Sequence, residues 1–536
     1  MSYLLKYLRA ALVPVCIALA ATGDADIFSA IMMIAAIVAI YLMPKDNGSL
    51  FFAGALIYAL CFSWLAGTLE RFGGFPATVA FLLFLLFIFL SALQMVFFGA
   101  LFRAEIYPRF FRQLGLVFPL AWTGVDFLMP KMFPWTPAHF LLAIKPVALL
   151  ASVVGPYGLT FLCCWAAENS IRGILEFQRK GKMKRFALTF TIITLSCSFG
   201  YYLQVRLDHV TQHAQRISVA LVQGNLSTET KGKSSYLKAN LAEYVRLSEK
   251  RNVDLLVWPE SVMSTWTPVN MENIRDTKYD PFPEQAVSLI YGVLSYEQRS
   301  KDELAKLESE LGRPLTRQDM ERVFHWYNSA FVLDPVGGVA GVYHKRALMP
   351  LGEYLPFEES FPWVRSLSPQ SGRFSVGHIA EPVRLQIQPR GGELEVPVEV
   401  RSGLLVCYED LLSALSVDYV RRGANILVNV TNDAWYGQTA APYQHELLAS
   451  WRAVETGRVL LRATNTGATA GIMPDGTAVG GLPIFTAAVS ELEVPLLSHV
   501  TFYVAGGHWL EVIPSFVLLL LLFGGFIVGR QKGFSK

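Results

Sequence analysis

The chain has 536 residues, 53% of them apolar (Ala, Val, Ile, Leu, Met, Phe, Trp, Tyr or Cys) and 17% charged, with a mean hydropathy of +0.37. Water-soluble domains carry about 25% charged residues, so this composition excludes a protein solvated over its whole surface. A net charge of +3 is no basic surplus, and no nucleic-acid partner is expected.

Apolar runs of about 18 residues or more mark membrane-crossing helices. Seven candidates precede residue 205, near 4–22, 26–43, 50–67, 77–102, 114–129, 147–168 and 185–203. An eighth, 509–529, contains PSFVLLLLLFGGFIVG. The fifth is short and interrupted by Asp126. The first is expected to stay as a membrane segment, because apolar runs continue after it and no small-residue cleavage pattern stands out.

Placing the N-terminus in the cytoplasm puts fifteen basic residues in the inside segments: Lys6 and Arg9; Lys45; Arg103, Arg109 and Arg112; Arg172, Arg179, Lys180, Lys182, Lys184 and Arg185; Arg530, Lys532 and Lys536. The outside loops then hold three, Arg71, Lys131 and Lys145. Positive residues stay inside, so this orientation predicts a membrane domain over 1–204, an exported domain over 205–508, and an eighth crossing with a cytoplasmic tail over 509–536.

Residues 205–508 read as an α/β domain, with short β-branched runs alternating with amphipathic stretches. Strands are predicted at Ile217–Val222, Asp254–Trp258, Ser288–Val293, Ser329–Leu333, Leu404–Val406 and Asn425–Val430. Helices are predicted at Ser234–Lys250, 411–422 and 444–458, a hairpin over Leu460–Ile472, and a charged helical insert over Ser300–Arg322.

Five of the six cysteines, Cys16, Cys61, Cys163, Cys164 and Cys197, fall in the apolar runs, where cysteine is a small apolar side chain. Cys407 alone lies in the outer domain, with no partner there for a disulfide. Taken singly it reads as a buried strand-end cysteine. Its context is Gly403-Leu-Leu-Val-Cys407-Tyr-Glu-Asp, a buried strand running into a polar turn, and the carboxyl ends of parallel strands are where α/β sites form. A second strand ends in Pro259-Glu260-Ser, where proline stops the ladder and projects Glu260 at the strand end. Gly341-Val-Tyr-His-Lys345 leads through a Pro-Leu-Gly turn to Glu353. His445 is a further candidate base for a cysteine, though it lies within a predicted helix.

Glu260, Lys345 and Cys407, in that order and in these contexts, resemble the nitrilase superfamily. Asn328-Ser-Ala and Thr431-Asn-Asp-Ala-Trp435-Tyr-Gly add to the match. Joined to a multi-span membrane domain, the chain resembles the apolipoprotein N-acyltransferases of that superfamily. Phe62-Ser-Trp64, Phe72-Gly-Gly-Phe-Pro76, Phe133-Pro-Trp135 and Gly155-Pro-Tyr-Gly-Leu-Thr-Phe161 resemble its membrane-half patterns. The resemblance implies a multi-span α-helical membrane domain plus an α-β-β-α sandwich in a bacterial inner membrane, with the catalytic domain periplasmic. It implies Cys407 as nucleophile, Glu260 as proton acceptor and Lys345 as oxyanion stabiliser, supported by Glu353, Tyr408 and Glu409. Lys345 is further expected to lower the pKa of Cys407. The implied reaction is ping-pong, with a phospholipid as acyl donor and the diacylglyceryl-modified N-terminal cysteine of an apolipoprotein as acceptor. No cofactor is implied, and no His/Cys cluster at metal-ligand spacing appears. Val222-Gln-Gly-Asn225 is followed by Lys231-Gly-Lys233 and no tryptophan, where family members often carry one. The apolar stretches Phe357–Leu367 and Phe502–Val504 are candidates for dipping into the bilayer.

Two other readings compete. A membrane-tethered amidase of the same superfamily would hydrolyse rather than transfer, using the same three residues. A transporter or receptor with an inert outer domain would not need all of Glu260, Lys345 and Cys407.

Overall fold

A computed structural model of the chain describes residues 2–21, 26–71, 73–227, 237–282, 287–316, 319–368, 371–378, 381–388 and 397–533. The Lys231-Gly-Lys233 segment lies outside these residues.

Each predicted apolar run is met by a helix: Ser2–Ala20, Ile27–Leu42, Asn47–Cys61 with Leu65–Arg71, Ala77–Arg103, Val117–Leu128, Ala151–Lys180, Lys184–Gln212 and Ile513–Gly533. Asp26 and Asp46 cap two of them, their side chains accepting from the amides of Ser29 (2.7 Å) and Ser49 (3.0 Å). Among the described residues, Ala77–Arg103, Lys184–Gln212 and Gly507–Gly524 are individually long and apolar enough to cross a membrane. Asn47–Cys61 and Leu65–Arg71, bent by 52°, make a fourth when taken as one span. Ala10–Ala20, Ile27–Leu42 and Val117–Leu128 are shorter apolar helices. Ala151–Lys180 is broken at Gly155, whose φ of +69° precedes Pro156. Asp126 is buried in an ion pair with Lys131 and accepts from Gln94 Nε2 at 2.6 Å, so the residue that interrupts the fifth run is neutralised inside the bundle. Lys184–Gln212 continues past the boundary expected at 204 and leads into the first strand.

The α/β domain holds two sheets. β1 (Arg216–Gln223), β2 (Leu255–Val257), β3 (Met263–Pro268), β4 (Ser288–Gln298), β5 (Phe324–Leu333) and β6 (Val339–His344) build the first; β7 (Val383–Ile387), β8 (Val398–Val406), β9 (Ile426–Thr431), β10 (Leu460–Thr464), β11 (Ala470–Ile472) and β12 (Ala478–Val479) the second. The last strand, β13 (Ala488–Pro495), returns to the first sheet antiparallel to β1, giving the order β13-β1-β2-β4-β5-β6, with β3 paired to β4. The second sheet runs β12-β11-β10-β9-β8-β7, and β8, β9 and β10 are parallel. Parallel strands covered on both faces are buried along their whole length, as β2 and β9 are at every position.

The sheets pack face to face: Val219, Leu221, Val257 and Ile290 of the first share one core with Leu404, Val406, Val428 and Leu461 of the second. Helix Leu237–Ser248 covers the outer face of the first sheet through Tyr244 and Leu247, and helices Ser413–Arg421 and Ala441–Thr456 cover the second. This is the α-β-β-α sandwich expected from the resemblance. The charged insert forms helix Lys301–Leu311, opened by a Ser300/Glu303 capping box. Tyr503 and Val504 are buried core while Phe502 is exposed, so that stretch divides between packing and surface.

Helix Ala441–Thr456 joins the two domains. Its Leu447, Leu448, Trp451 and Val454 share a core with Phe62, Trp64, Phe133, Trp135 and Phe140 of the membrane domain. Trp451 Nε1 donates to His139 O at 3.0 Å, and Gln444 Nε2 to Cys61 O at 3.1 Å. Trp451→Ala is expected to cost about 3–5 kcal/mol through the cavity it leaves. A fall in the Tm of the full chain in detergent would register this, and an unchanged Tm would mean that the joint contributes nothing to stability.

Candidate active site

Cys407 follows the last residue of β8 and begins the tight turn Cys407–Leu411, with φ of +54°. An L-residue in the left-handed region costs about 1–3 kcal/mol and persists only where its surroundings enforce it. Here Glu409 Oε2 accepts from Val406 N (2.8 Å), and Asn429 Nδ2 on β9 donates to Cys407 O (2.9 Å). Glu409 is fully buried; its Oε1 accepts from the amides of Arg346 (2.7 Å) and Ala347 (2.9 Å), and Tyr343 Oη donates to it at 2.9 Å. One carboxylate thus fastens the chain just after Lys345 to the Cys407 turn.

Glu260 lies beyond β2, buried, with Ser261 after it at φ +52°. The backbone of this turn lies directly over β4 at Gly292, where a Cβ would come within 2.4 Å of Glu260 Cα. Gly292 N donates to Pro259 O at 2.9 Å. Glycine is therefore required at this close approach.

Lys345 is buried and follows β6, its amide donating to Asn328 O at 2.9 Å. Its Nζ is 2.8 Å from Glu353 Oε2. The Asn328 amide Nδ2 bridges two carboxylates, donating to Glu260 Oε1 (2.6 Å) and Glu353 Oε1 (2.7 Å). Asn328 entered the sequence reading only as part of a matching strand. A buried polar residue inside the apolar run of β5 is the signal that it has a partner.

Cys407, Glu260, Lys345 and Glu353 are close enough for the last three to act on the thiol electrostatically. Burial pushes the Cys407 thiol up, Glu260 adds to this, and the Lys345 charge opposes it without prevailing. Lys345 thus lowers the thiol as expected, but desolvation outweighs its pull and the net shift is upward. Burial alone would push Lys345 down, but the surrounding groups, Glu353 first and then Cys407 and Glu260, hold it above its ordinary value and therefore charged.

Tyr408 Oη donates to Met132 O at 2.7 Å, tying the Cys407 turn to the membrane domain. His445 is no partner of the thiol: its ring nitrogens face Asp410 and Asp433. Between the membrane domain and helix Ala441–Thr456 lies a narrow apolar cavity, walled by Phe62, Trp64, Phe133, Trp135, Tyr436 and Leu447 among others. Arg71 clasps the rim, donating to Trp435 O (3.2 Å) and Tyr436 O (3.1 Å).

The carbon-nitrogen hydrolase profile matches residues 218–498, and that of the apolipoprotein N-acyltransferase N-terminal domain matches 15–167. An apolipoprotein N-acyltransferase of Geobacter metallireducens is 32% identical over 77% of this chain and 74% of that protein. The chain belongs to the apolipoprotein N-acyltransferase family. A member from Shewanella oneidensis is 27% identical over 89% of this chain and 86% of its own length. Among solved structures, a nitrilase-superfamily amidase from Nesterenkonia is 17% identical, covering 55% of this chain and 95% of its own, with a TM-score of 0.35. The chain is thus a membrane-bound acyltransferase acting on lipoproteins, and the amidase reading is the less supported one.

Proposed function

We propose that this acyltransferase takes a fatty acyl chain from a phospholipid onto Cys407 as a thioester and passes it to the α-amine of a diacylglyceryl-cysteine. The carrying observation is the burial of Glu260 and Lys345 around a strained cysteine, with Asn328 bridging Glu260 to Glu353. Glu260 accepts the thiol proton as sulfur bonds to the ester carbon. Lys345 carries the charge of the resulting oxyanion. As the ester C–O bond breaks, Glu260 returns the proton to the leaving glyceryl oxygen. The acceptor amine then attacks the thioester, loses a proton to Glu260, and the thiol leaves as the amide forms. The apolar side chains around Tyr436, Phe62, Trp64 and Leu447 among them, support an acyl substrate, and their position against the membrane domain supports a lipid donor. Mass spectrometry of the purified protein should find Cys407 heavier by one fatty acyl group after exposure to phospholipid. Transfer activity with no such adduct would sink the covalent route.

The excess of inside charge supports seven crossings before the outer domain, an eighth after it, and a catalytic domain on the periplasmic face of a bacterial inner membrane. A reporter fused at residue 536 should behave as cytoplasmic. One inserted at Gly312, the exposed end of the insert helix, should behave as exported. The opposite result at either place would overturn this orientation.

A further inference from the structure

Next to Cys407 lies a closed set of charges that neither proton transfer nor oxyanion binding employs. Asp410 is three residues after the nucleophile in the same turn; its Oδ1 accepts from His445 Nε2 (2.7 Å) and its Oδ2 from Arg462 Nε on β10 (2.9 Å). Asp433 opens the turn Asp433–Tyr436 at the end of β9, and its Oδ1 accepts from His445 Nδ1 (3.0 Å). Arg462 Nη1 is held by Ala468 O at 2.9 Å. All four side chains are buried.

An imidazole with a carboxylate at each nitrogen satisfies both only by donating twice, as the imidazolium. Charged, it brings the four groups to neutrality; uncharged, it would leave one buried negative charge uncompensated, a costly arrangement. The groups facing His445 agree. Burial opposes its charge and Arg462 does too, but Asp410 and Asp433 outweigh them and hold it up at about 9. Tyr436 faces it edge-on, ring centroids 6.2 Å apart, and the neighbouring Glu446 acts on Arg462. His445 also lines the apolar cavity.

We infer that His445 is a positioning residue, an imidazolium strut that locks the Cys407 turn to the Asp433–Tyr436 turn and so fixes the place of the thiol relative to Tyr436. The inference rests on Cys407 being the nucleophile. Neighbouring parallel strands β8 and β9 deliver the two turns, and backbone pairing ends before either. Beyond the strand ends the charged strut joins them, together with Asn429.

The test is single-turnover acylation of Cys407 in the full-length protein with phospholipid vesicles, followed by mass spectrometry across a pH range spanning about 9. A group whose folded pKa is raised acts below that value, so wild-type acylation should fall as pH rises through about 9. His445→Gln should acylate about 10²-fold more slowly at neutral pH, the scale of a small misplacement of reacting atoms, with that alkaline limb gone. Asp433→Asn removes one carboxylate that sustains the charge and should move the limb to lower pH. A purely structural histidine would lower the yield of folded protein but leave the limb of the remainder in place. Wild-type-like acylation in His445→Gln, or a limb that stays put in Asp433→Asn, overturns the strut. If His445→Gln does not fold, the wild-type and Asp433→Asn profiles decide alone, and a wild-type rate that holds through about 9 also overturns it. An acyl adduct appearing on Cys407→Ala protein would instead strike the nucleophile assignment itself.

Discussion

Cys407→Ala is expected to abolish thioester formation and transfer together, a loss on the order of 10⁶ where a nucleophile and its base act as one unit. Cys197→Ala, in a membrane helix, should be nearly silent. Cys407→Ser keeps the position but should fail as well. Burial and Glu260 already push the thiol up, and a hydroxyl starts far higher still. Glu260 would then have to remove a proton that a carboxylate cannot hold in competition. Acylation assayed with radiolabelled phospholipid checks both variants, and a serine variant retaining most activity would falsify the thiol mechanism.

Glu260→Gln and Lys345→Met should each cripple acylation while moving the thiol in opposite directions. Losing a general base costs roughly 10²–10⁴ in rate, and losing one oxyanion donor on the order of 10²–10³. The sign at Cys407 separates the two roles. Glu260 raises the thiol's pKa and Lys345 lowers it, so iodoacetamide should label the thiol faster in Glu260→Gln and slower in Lys345→Met. Without the base, then, a more easily ionised thiol should still acylate poorly. Because Lys345 is held above its ordinary value, its charge persists through neutral and mildly alkaline pH and is lost only beyond the usual lysine range. Glu260→Gln acylating at the wild-type rate would pass the base's role to Glu353 or Glu409. Lys345→Met retaining full rate in both half-reactions would remove it from the oxyanion.

The membrane half was legible because bilayer thickness imposes a run length that no soluble helix needs, and each predicted run is met by a helix or, near 50–67, by a bent pair. The strands were legible where burial on both faces makes them apolar, throughout in β2 and at most positions in β9. β3, β7, β12 and β13 escaped notice: they are short or half-exposed, and β13 belongs to its sheet only by pairing with β1, more than 250 residues away. Glu260, Lys345 and Cys407 stood out as candidates because they sit at strand ends, and the structure brings the three together.

Sequence alone therefore determined the chemical types, their order and the membrane-plus-sandwich division, because periodicity and residue type are local properties. Only the tertiary structure decided that Asn328 bridges two carboxylates, that Tyr408 reaches the membrane domain, and that His445 serves aspartates rather than the thiol. It also decided the sign of the Cys407 shift. Lysine beside cysteine argues for a lowered pKa, but the outcome is a competition between charge and desolvation, and desolvation depends on how much of the folded chain surrounds the sulfur.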